Sequence, residues 1–559
     1  MKGEAACGIQ KQGGRIILTS FGTQTRNFLD ATGGDSVRPR KEPTLMSNTR
    51  TRAPRTRAFA LHALAALLVF QLIVPHASRA QADNATKSDQ SKPTKNDQSK
   101  SKHGQPPARA PRRDAEVARM ISEIDARNIE RTIRKLVSFG TRSTLSAQDN
   151  PARGIGAARD WLFSEFQQVA AASGGRMTVE KQSFTQAAQP PPRGRVPKDT
   201  VLTNIVATLR GTQAESAARV YVVSGHYDSM CTSPTDAECD APGANDDASG
   251  TAAVLEMARV MAKRSFDATI IFMTVPGEEQ GLLGSTHFAE EAKKSGMNIE
   301  GMFTNDIIGS SHGGNGVYDP HTVRVFSEGV PSNETEQEAT TRRSVGGEND
   351  SQSRQLARFI KETDDLYMKD FRVELIYRRD RYGRGGDHMP FLERGYAAVR
   401  FTEPNEDYTH QHQNVRTENG TAYGDLPEFD DFDYIANVAR VNCAALAALA
   451  NAPARPKGVA INTRRLSVDT DLQWDANKEP DVSGYEVVWR DTTSPVWTNS
   501  AWIGNVTSYT MKGMSKDNYF FGVRAVDAQG NRSPVTYPRP VSGQPRPAAS
   551  PQPQRTPSP

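Results

Sequence analysis

From residue 115 the apolar positions Val117, Ile121, Ile124, Ile129, Ile133 and Leu136 recur at helical spacing and define one face of a helix. The stretch before it, 81–113, is Lys, Asp, Ser, Gln, Asn and Pro with almost no large apolar side chain. Such a segment cannot bury enough surface to offset backbone ordering, so a disordered linker is expected over 81–113 and a folded domain from 114. Further on, helical periodicity over 154–171 gives way to short apolar runs at 203–209 and 219–224, then to a helix over 250–262 and another apolar run at 269–275. Short buried strands separated by helices predict an α/β domain with a mostly parallel central sheet flanked by helices, spanning 114–451. Its last element is the Ala-rich run 436–450, which contains Cys443 as an expected core thiol.

After the linker 452–457 the pattern changes to short strands carrying aromatic residues: 472–474, 484–489 and 519–526. The spacing of Trp474, of Gly484-Tyr485-Glu486-Val487 and of the run Tyr519 to Asp527 resembles a fibronectin type III domain. The resemblance implies a C-terminal all-β sandwich over 456–544. Its aromatic residues are core by default, and a protein or carbohydrate partner is the alternative use of that surface. The Pro- and Ser-rich tail 545–559 is expected to be disordered.

At the other end, Arg50, Arg52, Arg55 and Arg57 precede an apolar run over 58–74 and the small-residue site Ser78-Arg79-Ala80. This is the layout of a signal peptide over 46–80 beginning at Met46, with 1–45 a non-native upstream extension and the mature protein secreted or periplasmic. An uncleaved anchor is the alternative, but the run is short and is interrupted by His62 and Gln71. No stable membrane insertion is therefore expected after cleavage. An oxidising destination makes a bridge between Cys231 and Cys239 the expected state of those thiols. Lys plus Arg number 69 against 65 Asp plus Glu in 559 residues, for a net charge of +4. That near balance argues against nucleic acid as a partner.

The chemistry sits where the apolar runs end. The run at 219–224 leads into Gly225-His226-Tyr227-Asp228-Ser229, followed by Gly243-Ala244-Asn245-Asp246-Asp247-Ala248-Ser249-Gly250 at the start of a helix. The run at 269–275 leads into Gly277-Glu278-Glu279-Gln280-Gly281, Met302-Phe303-Thr304 into Asn305-Asp306, and the stretch 397–401 into a loop ending Tyr408-Thr409-His410-Gln411-His412. Ligand sites in parallel sheets lie at the carboxyl ends of the strands. Carboxylates gathered there with imidazoles repel one another and call for a cation. Nitrogen mixed with carboxylate oxygen, and no cysteine, suits an open catalytic zinc site better than magnesium or calcium. Adjacent glutamates on a glycine-flanked turn can offer one carboxylate to metal and one to water as a general base.

Together these motifs resemble the co-catalytic di-zinc aminopeptidases, a family of bacterial leucyl aminopeptidase-like enzymes related to glutamate carboxypeptidases and glutaminyl cyclases. The resemblance covers roughly 115–450 and implies the di-zinc exopeptidase fold and two Zn2+ ions per chain. It assigns His226 and Asp306 to one ion, Glu279 and His410 to the other, and Asp246 to both. Glu278 is implied as the base, with Asp228 orienting His226 and Asp247 beside the ligands rather than among them. His412 is the alternative to His410. His410 is preferred because family members often place an acid four residues later; Asn414 holds that place for His410, Arg416 for His412. Many relatives carry a tyrosine directly before this ligand, whereas here Thr409 intervenes after Tyr408, which leaves the oxyanion donor open. Gly386-Asp387-His388 resembles a further family motif near the site and is expected either to be structural or to support the ligands from behind, with no metal assigned to it, while His287, His312 and His321 are expected to pack or face solvent.

The activity so implied is that of a secreted zinc metallopeptidase acting on peptides, most simply an aminopeptidase. Arg378, Arg379, Arg381 and Arg384 keep a carboxypeptidase as an alternative, because a terminal carboxylate needs cations. A glutaminyl cyclase on the same fold and a catalytically inactive binding module are also compatible with these motifs.

Overall fold

The computed structural model describes residues 105–541. The expected upstream extension 1–45, the expected signal peptide 46–80, most of the expected linker and the expected disordered tail 545–559 lie outside the described residues. Two amphipathic helices open the fold, α1 (Ala115–Ser122) and α2 (Ala126–Val137), where the periodicity suggests one continuous helix. The break falls at Asp125, whose extended backbone and side chain cap α2 through the Arg127 N–H. Then follow α3 (Ile155–Ala171), the strands β1 (Met177–Gln186), β2 (Thr200–Leu209) and β3 (Arg219–His226), α4 (Gly250–Met261) and β4 (Thr269–Val275). The domain continues through α5 (Leu283–Ser295), β5 (Asn298–Asn305), β6 (Thr322–Phe326), α6 (Glu336–Arg343), α7 (Gln352–Tyr367) and β7 (Arg372–Ile376). It closes with α8 (Met389–Glu393), β8 (Ala398–Thr402), a small hairpin of β9 (Arg416–Glu418) and β10 (Thr421–Tyr423), and α9 (Phe432–Asn451).

Eight strands form one sheet in the order β1-β2-β4-β3-β5-β8-β6-β7. The four at its centre, β4-β3-β5-β8, run parallel, while β1 and β2 are added antiparallel at one edge. β3 and β4 are buried along their whole length, because helices cover both faces. On one face α1, α2, α3, α4, α7 and α9 share a core with residues such as Ile133, Leu162, Val223, Met257, Phe303 and Leu446. On the other, Phe288 of α5 and Phe391 of α8 pack over Val222, Ile271 and Met302. The edge strand β1 is not legible in the sequence, since MTVEKQSFTQ is largely polar and only its pairing with β2 makes it a strand.

The C-terminal segment forms two sheets, a four-stranded one of β11 (Ala460–Ile461), β12 (Thr470–Gln473), β15 (Ser508–Met511) and β17 (Arg539–Pro540), and a three-stranded one of β13 (Val482–Asp491), β14 (Asn499–Gly504) and β16 (Tyr519–Asp527). Leu472, Trp474, Tyr485, Val487 and Phe521 from both sheets meet in one core. This unit docks on α7 through a buried ion cluster: Asp350 takes Arg358 at 2.6 Å and Arg490 of β13 at 2.7 Å. Residues 105–113, assigned to the disordered linker from sequence, instead lie extended against the C-terminal sheets. Gln105 donates to the Lys512 carbonyl at 3.0 Å, and the Arg109 guanidinium stacks 4.2 Å from the Trp502 ring centre. These polar and cationic side chains find partners on a neighbouring surface that local hydropathy does not register. Among the described residues, no helix is long and apolar enough to cross a membrane.

Candidate metal centre

The carboxyl ends of the central strands deliver the chemistry. His226 is the last residue of β3, Glu278 and Glu279 follow β4, Asp306 follows β5, and the loop after β8 carries His410 and His412. Asp246 lies on the turn that leads into α4. Glycine makes that junction: a Cβ on Gly225 would sit 2.5 Å from the Thr251 nitrogen, and one on Gly250 would sit 2.2 Å from the Asn305 carbonyl oxygen. Strand and helix therefore meet backbone to backbone. Asp247 holds the junction, accepting the His226 N–H and the Gly250 N–H, each at 2.9 Å. Asp425 holds the preceding residues, accepting the N–H groups of Asn245 and Asp246, each at 2.8 Å.

Two groups of ligand-type atoms result, sharing Asp246. In the first, His226 Nε2 stands 3.1 Å from Asp246 Oδ1 and 3.7 Å from Asp306 Oδ1. In the second, His412 Nε2 stands 2.9 Å from Asp246 Oδ2 and 3.2 Å from Glu279 Oε2. Ligands held at about 2.0–2.1 Å around a tetrahedral ion are separated by about 3.3 Å, so these spacings suit a common cation in each group. Both Nε2 atoms are buried and make no hydrogen bond despite the short distances, and the other oxygen of Glu279, Oε1, is buried without a partner. Close approach without hydrogen-bond alignment is the geometry of ligand atoms that would share a cation. The residues present therefore fit a pair of divalent ions bridged by Asp246.

The electrostatics point the same way. Burial opposes charge on His226, yet the carboxylates of Asp228, Asp246, Asp247 and Asp306 outweigh it and push the imidazole well above its usual range. Burial likewise opposes charge on His412, while Glu279 and Asp246 push it up to about 11. The cluster thus draws in whatever positive charge is at hand. Glu278 joins neither group; burial raises it well above the ordinary carboxylate range, as do Asp306, Glu279 and Asp387. Asp228 lies behind His226, with its Oδ1 3.4 Å from Nδ1, and also accepts from Thr144 Oγ1 at 3.0 Å and the Glu279 N–H at 3.3 Å. It orients both the imidazole and the glutamate turn.

The preference for His410 over His412 is overturned by this geometry. Asp407 caps a tight turn over 407–411, accepting from Thr409 N and Oγ1, while its carbonyl accepts the His410 and Gln411 N–H groups. His410 leaves the turn on its far side, stacked 3.7 Å from the Phe429 ring centre, with Nδ1 3.7 Å from Asp407. The backbone then enters the left-handed region at His412 (φ 54°), which turns this imidazole toward Asp246 and Glu279. Left-handed non-glycine residues also follow the other ligand motifs closely, at Leu282 (φ 60°) and Ile307 (φ 60°). Such backbone persists only where the surroundings over-determine it.

Three neighbours escaped the sequence reading. Arg400, fully buried on β8, pairs with Asp306 Oδ2 at 2.8 Å; Gln411 Nε2 donates to Asp246 Oδ2 at 2.9 Å; and Asp425 anchors the Asp246 turn from 179 residues away. Arg400 reads as one more strand residue, and the loop carrying the other two has no periodicity. Asp387 accepts from Ser285 Oγ at 2.6 Å and His388 Nε2 lies 2.9 Å from the Arg379 carbonyl, and neither stands in the two ligand groups. His287 stacks on Phe184, His312 on Tyr318, and His321 contacts the Asp370 carbonyl, so none enters the site. Cys231 and Cys239 form the expected disulfide, and Cys443 is buried and free.

Comparison with known proteins bears on the whole arrangement. The model of peptidase family M28 matches residues 204–426. A protein of Leptosphaeria maculans named "Probable zinc metalloprotease" is 50% identical over 430 residues, covering 77% of this chain and 98% of the relative. The chain belongs to peptidase family M28. A Pyricularia oryzae protein named "Probable zinc metalloprotease" is also 50% identical, over 433 residues, covering 76% of this chain and 85% of its own length. The crystal structure of the Legionella pneumophila LapA aminopeptidase shares 20% identity over 62% of this chain and 77% of that one, with a TM-score of 0.42. The M28 match takes in every converging residue from His226 to His412, and leaves outside it the helices before β2 and the C-terminal sheets.

Proposed function

We propose that this M28 chain is a secreted zinc metallopeptidase that removes N-terminal residues from peptides. The observation that carries the reading is the pair of buried ligand groups meeting at Asp246. In this reading His226 and Asp306 hold one zinc ion, Glu279 and His412 the other, and Asp246 both. Bound zinc supplies Lewis-acid polarisation of a carbonyl and activation of water at neutral pH. Glu278, a half-buried carboxylate with a raised proton affinity, takes the proton of the attacking water and returns it to the leaving amine. Asp228, Asp247, Arg400 and Gln411 keep the ligand side chains in place through the contacts described above.

Charge favours action at the amino end. The arginines that would receive a terminal carboxylate are otherwise engaged: Arg381 and Arg384 pair with Glu406 at 3.0 and 2.6 Å, Arg379 with Glu393 at 2.8 Å, and Arg378 stacks 3.8 Å from the Tyr382 ring centre. The carboxylates around the site favour a cationic amine. Export is supported by the signal-like segment 46–80 and by the Cys231–Cys239 bridge, which suits an oxidising compartment.

The test pairs substrates with one variant. Zinc-loaded protein is expected to release residues from peptides with a free amino terminus and to leave blocked ones intact. Cleavage of blocked peptides alone overturns the aminopeptidase reading, and cyclisation of N-terminal glutamine without hydrolysis would make it a cyclase. Glu278→Gln should keep both ions and lose about 10²–10⁴ in turnover, since it removes the base and no ligand.

A further inference from the structure

Between Asp228 and the Asp246 turn the chain detours through Cys231 and Cys239, whose bridge closes a loop, TSPTDAE, with no large apolar side chain. Such a loop cannot pack a core of its own. Its shape comes from the bridge and from Asp236, whose Oδ1 accepts the Glu238 and Cys239 N–H groups at 2.9 and 3.0 Å. The base of the loop is fastened separately. Ser229 Oγ donates to the Ala241 carbonyl at 2.8 Å, and the buried Arg142 guanidinium donates to the carbonyls of Tyr227 and Gly243 at 2.8 and 2.7 Å. These bonds tie the end of β3 to the start of the Asp246 turn without help from the bridge. The tip of the loop has different partners. Thr232 N–H donates to Asn414 Oδ1 at 3.2 Å, and Asn414 N–H donates back to Thr232 Oγ1 at 3.1 Å. Gln280, itself buried, donates through Nε2 to the Pro234 carbonyl at 3.0 Å. Gln280 directly follows Glu279, and Asn414 follows His412 by two residues. One small loop therefore touches both segments that present the ligands of the second ion.

We propose that the bridged loop 231–239 is a brace for the ion of Glu279 and His412, and that Thr232, Gln280 and Asn414 are positioning residues acting through it. Three hydrogen bonds, two of them at the surface, return less than the ordering of seven loose residues costs. The bridge removes most of that cost beforehand by confining the loop. Without it the tip leaves Gln280 and Asn414, and the left-handed backbone at His412 loses its support on the C-terminal side. The ion of His226 and Asp306 does not depend on the tip, because Arg142, Ser229 and Asp247 hold that side. The inference rests on the assignment of Glu279 and His412 to one ion, and not on which peptides are cleaved.

The experiment is dialysis of the zinc-loaded full-length protein against a graded series of chelator-buffered zinc concentrations, with bound zinc counted. The double variant Cys231→Ser/Cys239→Ser should fall from about two ions to one at free zinc about 10–100-fold above the level at which the parent does, the range typical of groups that support ligands from behind. Asn414→Ala should shift the same step by about tenfold, and Asn414→Asp, which keeps the Oδ acceptor, should restore it. Placed on top of His412→Ala, which should hold one ion, neither change should weaken that remaining ion. Two ions kept by His412→Ala would overturn the ligand assignment on which the inference rests. With His412→Ala down to one ion, the brace itself is overturned by unaltered retention of both ions in the cysteine and Asn414→Ala variants, by loss of both ions together, or by an Asn414→Asp protein no better than Asn414→Ala.

Discussion

Replacing His412 by alanine, beside the same change at His410, tests the metal centre most directly. His412 is the one imidazole in the group with Asp246 and Glu279, at 2.9 and 3.2 Å, whereas the carboxylate near His410 is Asp407 at 3.7 Å on the far side of the turn. An apparent zinc affinity of about 10–16 kcal/mol for a four-ligand site assigns about 2.5–4 kcal/mol to each ligand. Loss of one imidazole should then weaken retention at that position by about 10²–10³-fold. After dialysis against a graded series of chelator concentrations, metal counting should show His412→Ala falling from about two zinc ions to one at chelator levels the parent withstands, with hydrolysis lost in parallel. His410→Ala should keep both ions and most of the activity. It forfeits only the stack on Phe429, worth about 0.5–1.5 kcal/mol of stability. A His410→Ala protein that loses zinc while His412→Ala keeps both ions would refute the assignment and the backbone argument behind it.

Other consequences can be measured without the metal. Burial pushes the Asp364 carboxyl up to about 6 from an ordinary 3.8, although it accepts the Val373 N–H at 2.8 Å. The folded state therefore binds this proton more tightly than the unfolded chain; the contribution is full below pH 3.8 and is lost as pH rises through 6. Asp364→Asn should raise stability by at most about 3 kcal/mol in urea unfolding at pH 8 and by almost nothing near pH 4; equal effects at both would contradict the linkage. Arg490→Ala withdraws one of the two guanidinium groups from buried Asp350 and should cost about 3–5 kcal/mol in the same assay. A cost below about 1 kcal/mol would mean that this pair does not hold the C-terminal sheets to α7. Gly250→Ala should destabilise markedly, because the new methyl would overlap the Asn305 carbonyl oxygen; normal zinc content and unchanged unfolding would show that the β3–α4 junction can relax.

Local pattern settled much of this protein. The runs that became β3 and β4 hold unbroken apolar stretches at 220–223 and 270–273, with no alternation of polar residues, which marks them as strands covered on both faces. The Gly-flanked motifs at their ends carry imidazole and carboxylate side chains too costly to gather without a cation, which made the kind of site legible. The Cys231–Cys239 bridge is expected only once the closeness of the two cysteines in sequence is joined to the oxidising destination that segment 46–80 implies. Tertiary structure decided what depends on partners distant in sequence. The polar strand β1 exists because β2 offers it an edge, and residues 105–113 are held in place by the sheets that carry Lys512 and Trp502. The choice between His410 and His412 rests on one change in the sign of φ inside a loop without periodicity, enforced by Asp407, Phe429 and the carboxylates beyond. Sequence spacing specifies which groups a strand end presents; only the packed chain fixes which of two neighbouring side chains turns inward, because backbone handedness in a loop is set by contacts and not by composition.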